Sequence, residues 1–360
     1  SSHYPFQVRL LIANSGSGDE AVAGQVARQI VQLAAQDKTV VGVMGWPFSE
    51  STVHAFKILE AAHIPIVSET ASTDDLTGKS SYFFRLVPPN FQQGQANAQY
   101  VIQTLHAKRV ALFVDHNNAY SSSFADDFKQ SYLSEVSGNG TIVAEEPYTV
   151  GPKGQAQLST LLQRALNANP DVIYFSGYAS DLAILLDALP SFGPGVSVPI
   201  VGGEGLYELG GYNQSSRAHL GQLHFLAYAY PDEWEIAGLV GQKPLFFQEY
   251  SDAFNPSGQT PPGVYGLTRA GNDVVLAYDA TRTLLTASTS VGQNVTGEQL
   301  QQALKQIKDA RPLQGVSGRI AFGPDGNPIN KPLLLLSVDA QARFHEEALL
   351  SGCLLVARCG

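Results

Sequence analysis

The chain has 360 residues, of which 44% are hydrophobic and 15% are charged, and its 22 basic against 32 acidic residues give a formal net charge of −10. This length exceeds what one hydrophobic core usually serves, so two lobes are expected. The acidic balance argues against nucleic acid as a partner, because phosphate binding needs a basic face. No apolar run is long enough to cross a bilayer, so the chain is not expected to span a membrane.

The two ends of the chain carry little functional information. Cys353 and Cys359 are the only cysteines. They are close enough in sequence to pair in an oxidising compartment, or they remain free thiols on a frayed tail. The chain starts without Met and without a signal peptide, so we expect a processed or trimmed form.

Strand-length apolar runs alternate with helical patterns through most of the chain, which is typical of βαβ units on parallel sheets. The pattern predicts strands over 8–13, 39–44, 64–68, 109–114, 141–144, 172–175 and 198–201. It predicts helices over 19–35, 51–62, 91–105, 122–137, 155–167 and 179–189. The stretch 231–313 is mainly helical, with the clearest segments at 274–286 and 297–308.

A closing hairpin is predicted from strands over 318–322 and 332–338, joined by the Gly-Pro-Asp-Gly turn at 323–326. Linker-like residues occur near 88–90, 228–231 and 315–318. If the chain passes from one lobe to the other at each of these three places, the two lobes are joined by a three-segment hinge. The first lobe takes 1–89 and 231–316, the second takes 90–230 and 317–345, and 346–360 form a tail.

Glu204 is a lone carboxylate after an apolar strand, flanked by Gly202, Gly203 and Gly205. Glycine lets a backbone or a ligand approach closely where a side chain would block it. The carboxyl ends of strands in open α/β sheets face the ligand crevice. This carboxylate is therefore placed to meet a small molecule that carries positive charge, although a solvated loop glutamate is the alternative.

Ser49 lies where a buried strand turns into a helix, in the run Gly45-Trp46-Pro47-Phe48-Ser49. Unsatisfied N–H groups and the helix dipole attract an anion at such a position, and a serine can add its hydroxyl. A plain N-cap is the competing interpretation.

A second strand-to-helix turn carries Thr70 and Ser72. If the anion at Ser49 is a carboxylate, Ser72 could donate a hydrogen bond to the same group. The Thr70 carbonyl could accept a hydrogen bond from an ammonium group. The alternative is again helix capping.

Tyr120 and Tyr178 follow strand ends in the second half of the chain. Tyrosine offers a flat apolar wall with one polar tip, although most tyrosines are packing residues. Together the strand-end residues supply donors for a carboxylate, acceptors for an ammonium group and aromatic walls. The ligand so described is an α-amino acid.

The chain from about Val8 onward resembles the type I solute-binding proteins of ABC importers, specifically the branched-chain amino-acid (Leu/Ile/Val) receptor family. The motifs that carry the resemblance are G-x-x-x-S at 45–49, the P-x-[IV]-S-x-x-[AS]-[ST] run ending at Ser72 with Leu76-Thr77, the Phe-Arg-Leu-Val-Pro run at 84–88, Gly177-Tyr178 and Gly203-Glu204-Gly205.

The resemblance implies a periplasmic binding protein type I fold of two Rossmann-like lobes joined by a three-segment hinge. It implies no catalysis, no metal and no cofactor. It also implies an extracytoplasmic monomer, periplasmic or anchored as a lipoprotein, that carries its amino acid to an importer permease. The ligand contacts that it implies are Ser49, Thr70, Ser72, Tyr120, Tyr178 and Glu204, of which Tyr120 matches only with a one-residue insertion.

Two departures from the family pattern matter. Family members normally open with a strand, a loop and a helix before the segment that begins here at Val8, so the first lobe is expected to lack its usual first strand and helix. Trp46 and Phe48 are bulkier than the small residues expected around a leucine-sized side chain. They either line the pocket, which puts specificity for Leu, Ile or Val in doubt, or pack in the core.

Three other functions compete with this interpretation. The run Gly16-Ser17-Gly18-Asp19-Glu20-Ala21 fits a loose dinucleotide-binding turn, but Asp19 and Glu20 would place negative charge where a pyrophosphate must sit. Scattered histidines and the lack of a G-x-S-x-G elbow disfavour metal or hydrolytic chemistry. A ligand-sensing receptor or regulatory domain of the same fold stays open.

Overall fold

The structure is a computed structural model. It describes residues 4–135, 140–193, 197–207, 212–228, 233–255, 257–258, 269–339, 344–352 and 354–358. Cys353 and Cys359 lie outside the described residues, as do the centre of the predicted 228–231 linker and the last two residues of the predicted 122–137 helix.

The chain divides into two compact units. The first unit comprises 1–89, 229–332 and 351–360, and the second comprises 90–228 and 333–350. The predicted crossing after residue 89 is at the observed position. The predicted crossing after residue 316 is wrong, because the chain leaves the first unit only after Pro332, and 351–360 return to that unit.

The described residues contain eleven α-helices. They are α1 (Glu20–Gln36), α2 (Ser49–Ala61), α3 (Asn90–Gln103), α4 (Ala119–Glu135), α5 (Pro152–Asn167), α6 (Ala179–Ala188), α7 (Gln214–Arg217), α8 (Glu233–Ile236), α9 (Phe246–Phe254), α10 (Asn272–Val291) and α11 (Gly297–Leu304). Among these described helices none combines the length and the apolar character that a membrane crossing requires.

The described residues also form strands. They are β1 (Val43–Met44), β2 (Ile66–Ser68), β3 (Phe83–Arg85), β4 (Arg109–Val114), β5 (Thr141–Pro147), β6 (Val172–Phe175), β7 (Ile200–Gly202), β8 (Leu223–Ala227), β9 (Leu313–Gly315), β10 (Gly318–Ile320), β11 (Leu333–Val338) and β12 (Phe344–Ser351).

The first unit is built on a parallel three-stranded sheet in the order β1-β2-β3. Its core combines the apolar faces of α1 and α2 with strand residues such as Ile66 and Phe83. Parallel strands are covered on both faces, which explains why β2 and β3 are buried along their whole length. The carboxyl ends of three adjacent strands are thereby brought to one edge.

The predicted first strand, 8–13, is wrong. This segment has no strand pairing, and its apolar side chains face solvent, with Leu10 70% and Ile12 91% exposed. A strand exists only where a neighbour satisfies its backbone groups. Among the described residues β1 has a hydrogen-bonded neighbour only in β2, so the sheet ends there.

The second unit contains a seven-stranded sheet in the order β12-β11-β8-β7-β6-β4-β5. Strands β4 to β8 run parallel, and β11 pairs antiparallel with β8. Its core is aromatic, with Phe128 and Tyr174 stacked at 3.6 Å between ring centroids. The predicted strands over 109–114 and 172–175 coincide with β4 and β6.

The predicted closing hairpin is also wrong. Strand β10 pairs with β9 in the first unit, whereas β11 pairs with β8 in the second unit. The turn at 323–326 is closed by an isolated bridge between Phe322 and Pro328. The Gly-Pro-Asp-Gly run therefore reverses the chain locally but does not join two partner strands.

Candidate functional site

Ser49 lies at the start of α2, directly after the turn that follows β1. The N-cap of α2 is Phe48, and the Ser49 side chain makes no capping bond. Its Oγ instead accepts hydrogen bonds from the backbone N–H groups of Ser72 and Thr73, both at 3.2 Å. The N-cap interpretation of Ser49 is wrong, and Ser49 ties two adjacent strand-end turns together while its own proton stays available.

Ser72 and Thr70 lie in the turn after β2. The hydroxyls of Ser72 and Thr73 are buried and have no hydrogen-bond partner among the described residues. Thr70 donates its hydroxyl to the Pro47 carbonyl at 3.0 Å. Buried hydroxyls are nearly always satisfied, so the unpartnered pair at 72–73 marks a place for a ligand or an ordered water.

Arg85, at the end of β3, is a positioning residue that sequence reasoning missed. Its guanidinium is fully buried and donates to the carbonyls of Ala71 and Thr73, at 3.2 and 2.9 Å. It also donates to Thr77 Oγ1 and Asn327 Oδ1, both at 2.7 Å. The planar guanidinium group of Arg85 thus fixes the backbone on both sides of Ser72.

Trp46 and Phe48 have different surroundings. Trp46 is 3% exposed and belongs to the core of the first unit together with Phe56 and Phe83. Phe48 is half-buried. Of the two rings, Phe48 is the one with surface left for a ligand.

Tyr120, Tyr178 and Glu204 follow the ends of β4, β6 and β7, which are neighbours in the sheet of the second unit. A reciprocal pair of hydrogen bonds joins the turn after β4 to the turn after β6. Ser121 Oγ donates to the Ser176 carbonyl at 2.5 Å, and Ser176 Oγ donates to the Ser121 carbonyl at 2.7 Å. Because β4, β6 and β7 are neighbours in the sheet, the side chains that follow these strands lie close to one another.

Tyr120 donates its hydroxyl to Glu204 Oε2 at 3.2 Å, and its ring stacks on Tyr178 with 5.3 Å between centroids. Burial raises the pKa of the Tyr120 phenol well above its usual value, and the neighbouring Glu204 charge raises it further. The phenol therefore stays protonated and serves as a donor. Glu204 itself is half-buried.

The glycines around Glu204 make room for the protein's own atoms. A Cβ on Gly203 would lie 2.4 Å from the Tyr120 hydroxyl, and one on Gly205 would lie 2.7 Å from the Gly177 carbonyl oxygen. The close approach predicted from the glycines therefore exists, and it positions Tyr120 against Glu204.

Glu69 is the second residue that sequence reasoning missed. It lies between Ser68 and Thr70, is only 7% exposed, and its Oε2 has no hydrogen-bond partner among the described residues. Burial raises the pKa of Glu69 to about 7, a bond from its own backbone N–H opposes the rise, and Asp273 adds to it. A lone acid in a hydroxyl-rich strand end was the available signal.

The dinucleotide-turn interpretation has no structural support. The strand that should precede the Gly16–Gly18 turn is absent, since 8–13 is unpaired. The Asp19 carboxylate caps α1 by accepting from the Val22 N–H at 3.0 Å. Within the described ranges, no group of three or more His, Cys, Asp or Glu side chains is placed to hold a metal ion.

Two α/β units, each with polar side chains at the carboxyl ends of its strands, define the class of α/β binding proteins. A model of the periplasmic binding protein family matches residues 7–343. The chain belongs to this family. The predicted family and the predicted α/β architecture with parallel sheets are both confirmed.

Curated relatives are binding proteins rather than enzymes. The Leu/Ile/Val-binding protein homolog 3 of Brucella melitensis is 28% identical over 288 residues, which cover 79% of this chain and 69% of the relative. The leucine-specific-binding protein of Salmonella typhimurium is 26% identical over 69% of this chain. The match spans 60% of the length of that relative.

Solved structures share the fold. The branched-chain amino acid transporter substrate binding protein LivJ of Streptococcus pneumoniae, in complex with isoleucine, superposes with a TM-score of 0.76 at 22% identity, over 96% of this chain and 87% of that one. A solute binding protein of R. palustris in complex with benzoate gives 0.72 at 16% identity, over 94% and 84%.

Proposed function

We propose that this protein is an extracytoplasmic solute-binding protein that captures an α-amino acid and delivers it to an ABC importer. The observation that carries the proposal is the Tyr120–Glu204 pair, a half-buried carboxylate held by a protonated phenol at a strand end. Such a carboxylate is a partner for the ammonium group of an amino acid. The curated relatives named for leucine, isoleucine and valine support the same class of ligand.

The carboxylate of the amino acid is assigned to the first unit. Ser49 keeps a donatable proton because its oxygen accepts from the two backbone N–H groups of the neighbouring turn. The buried Ser72 hydroxyl has no hydrogen-bond partner within the described ranges. Two hydroxyl donors next to the N-terminus of α2 provide favourable electrostatics for an anion.

The ammonium group is assigned to Glu204, with the Thr70 carbonyl as a second acceptor. Partial burial of a carboxylate carries a desolvation cost, and an ammonium group placed beside it would help to offset that cost. Tyr120 and Tyr178 would provide an aromatic wall for the ligand in the second unit, and the half-buried Phe48 would provide an apolar surface in the first.

An aromatic carboxylate is the second candidate ligand. The stacked Tyr120–Tyr178 pair offers a flat apolar surface, and solved relatives carry benzoate and 4-hydroxybenzoate. We prefer an amino acid, because the curated relatives are named for leucine, isoleucine and valine.

Replacing Glu204 by Gln keeps the size of the side chain and the bond from Tyr120 but removes the charge. We expect leucine to bind about ten-fold or more weakly, since a charge-assisted hydrogen bond contributes about 1.5 to 3 kcal/mol. Isothermal titration calorimetry of the wild type and the variant measures the change.

Glu135→Gln is the matched control, because it removes the same charge from an exposed position of the second unit. It should leave leucine affinity unchanged. Equal leucine affinities for Glu204→Gln and the wild type would remove Glu204 from the ligand site.

A further inference from the structure

Glu69 and Asp273 are two carboxylates of the first unit that the proposed function does not use. Glu69 follows β2, one residue before Thr70, and Asp273 lies in the first turn of α10. Asp273 is exposed, whereas Glu69 is buried. Asp273 raises the pKa of Glu69, so the two carboxylates interact electrostatically.

Neither carboxylate has the partner that a buried or clustered acid normally requires. Within the described residues no Lys, Arg or His forms an ion pair with either one. Glu69 Oε2 has no hydrogen-bond partner, and Asp273 Oδ1 accepts only from the neighbouring Asn272 amide, at 2.9 Å. A buried acid in this condition is costly, because charged groups are buried with a partner or not at all.

The unpartnered carboxylate is part of a larger unsatisfied cluster. The hydroxyls of Ser72 and Thr73 and the indole N–H of Trp46 are also buried and have no partner in the part of the chain that the structure describes. All three lie on the turns that follow β1 and β2. Native structures leave only a few buried polar atoms unsatisfied, so their concentration on two adjacent turns points to a bound molecule that supplies the missing partners.

We propose that Glu69 and Asp273 form a subsite for a second cationic group, so that the preferred amino acid carries a positively charged side chain. The exposed Asp273 meets the incoming ammonium or guanidinium group, and the buried Glu69 pairs with it. This inference rests on the proposed function, because the α-carboxylate and α-ammonium groups of the same molecule are assigned to Ser49, Ser72 and Glu204.

The ligand pair that isolates the subsite is lysine and norleucine, whose side chains have the same carbon skeleton and differ by the terminal ammonium group. We expect calorimetry at pH 8 to show lysine binding the wild type at least ten-fold more tightly than norleucine. The Glu69→Gln variant should lose ten-fold or more of its lysine affinity and keep its norleucine affinity. Lowering the pH to 6 should weaken lysine binding to the wild type, because Glu69 becomes neutral.

Two control variants separate a local effect from a general one. Glu298→Gln removes a carboxylate that is 62% exposed in the same unit and should change neither affinity. Asp273→Asn should weaken lysine binding less than Glu69→Gln does, because Glu69 is the carboxylate that lies next to the Thr70 and Ser72 turn.

The inference is overturned if norleucine binds the wild type as tightly as lysine. It is also overturned if Glu69→Gln weakens both ligands equally, since Glu69 would then act on the α-ammonium group or on the fold. Either result leaves the proposed function standing, because norleucine binding reports it independently. Absence of binding by lysine, norleucine and leucine alike would overturn both.

Discussion

Glu69→Gln is expected to stabilise the first unit at pH 8 by about 3 kcal/mol more than it does near pH 4.5. The pKa of Glu69 is raised from 4.5 to about 7 in the folded protein. The stability that this group contributes is fully present below its unfolded pKa and is lost as the pH rises through the folded pKa. A shift of this size corresponds to about 3 kcal/mol, and Gln removes the titration altogether.

Urea unfolding between pH 4.5 and 8 measures this difference. Tryptophan fluorescence is the suitable signal, because Trp46 and Trp234 are the only tryptophans and both belong to the first unit. Glu298→Gln, with its exposed carboxylate, should follow the wild type across the range. A Glu69→Gln curve parallel to that of the wild type would show that Glu69 is not held in a buried, desolvated position.

Arg85→Met is expected to destabilise the first unit by roughly 3 to 5 kcal/mol. The substitution keeps an unbranched side chain but removes the donors to Ala71, Thr73, Thr77 and Asn327. The buried acceptors would lose their partner without gaining water, which is among the costliest kinds of single substitution. Because two of the lost bonds fix the backbone around Ser72, leucine affinity should also fall.

Urea unfolding followed by tryptophan fluorescence, together with leucine titration, tests both parts of this expectation. Arg9→Met is the comparison variant, since Arg9 is 66% exposed and pairs with Asp37 at the surface. Exposed ion pairs contribute about 0 to 1 kcal/mol, so this variant should be close to the wild type. An Arg85→Met protein as stable as the Arg9→Met protein would show that the hydrogen bonds of Arg85 do not hold the turn around Ser72 in place.

Sequence pattern predicted the sheet of the second unit well and that of the first unit poorly. Strands β4 and β6 were predicted to the residue because they are apolar runs buried on both faces. The segment 8–13 is also mainly apolar but is exposed and unpaired. Composition can indicate that a segment suits a strand, but only a neighbouring strand makes it one.

The error in the closing hairpin has a related cause. Turn residues at 323–326 indicated correctly that the chain reverses, and the flanking apolar runs suggested that they pair. Strands β10 and β11 instead belong to different units, because the chain crosses after Pro332. The local sequence determines the turn, whereas the choice of strand partner depends on long-range packing.

The candidate site was predicted in part. Strand-end position was enough to single out Ser49, Ser72, Tyr120 and Glu204 from the sequence. It could not reveal that Ser49 accepts from the next turn or that Tyr120 donates to Glu204, because both bonds join residues far apart in the chain. Arg85 was noted only as part of the family motif at 84–88, and its hydrogen bonds to the turn around Ser72 could not be predicted from that motif.

The central claim is that one amino acid is held by its carboxylate and by its ammonium group. Calorimetric titration of the wild type with leucine, leucinamide and 4-methylpentanoate tests it directly, because the two analogues each lack one of these charges. We predict that leucine binds and that each analogue binds at least ten-fold more weakly. Equal binding of 4-methylpentanoate and leucine would contradict the claim and would favour a simple carboxylate as the ligand.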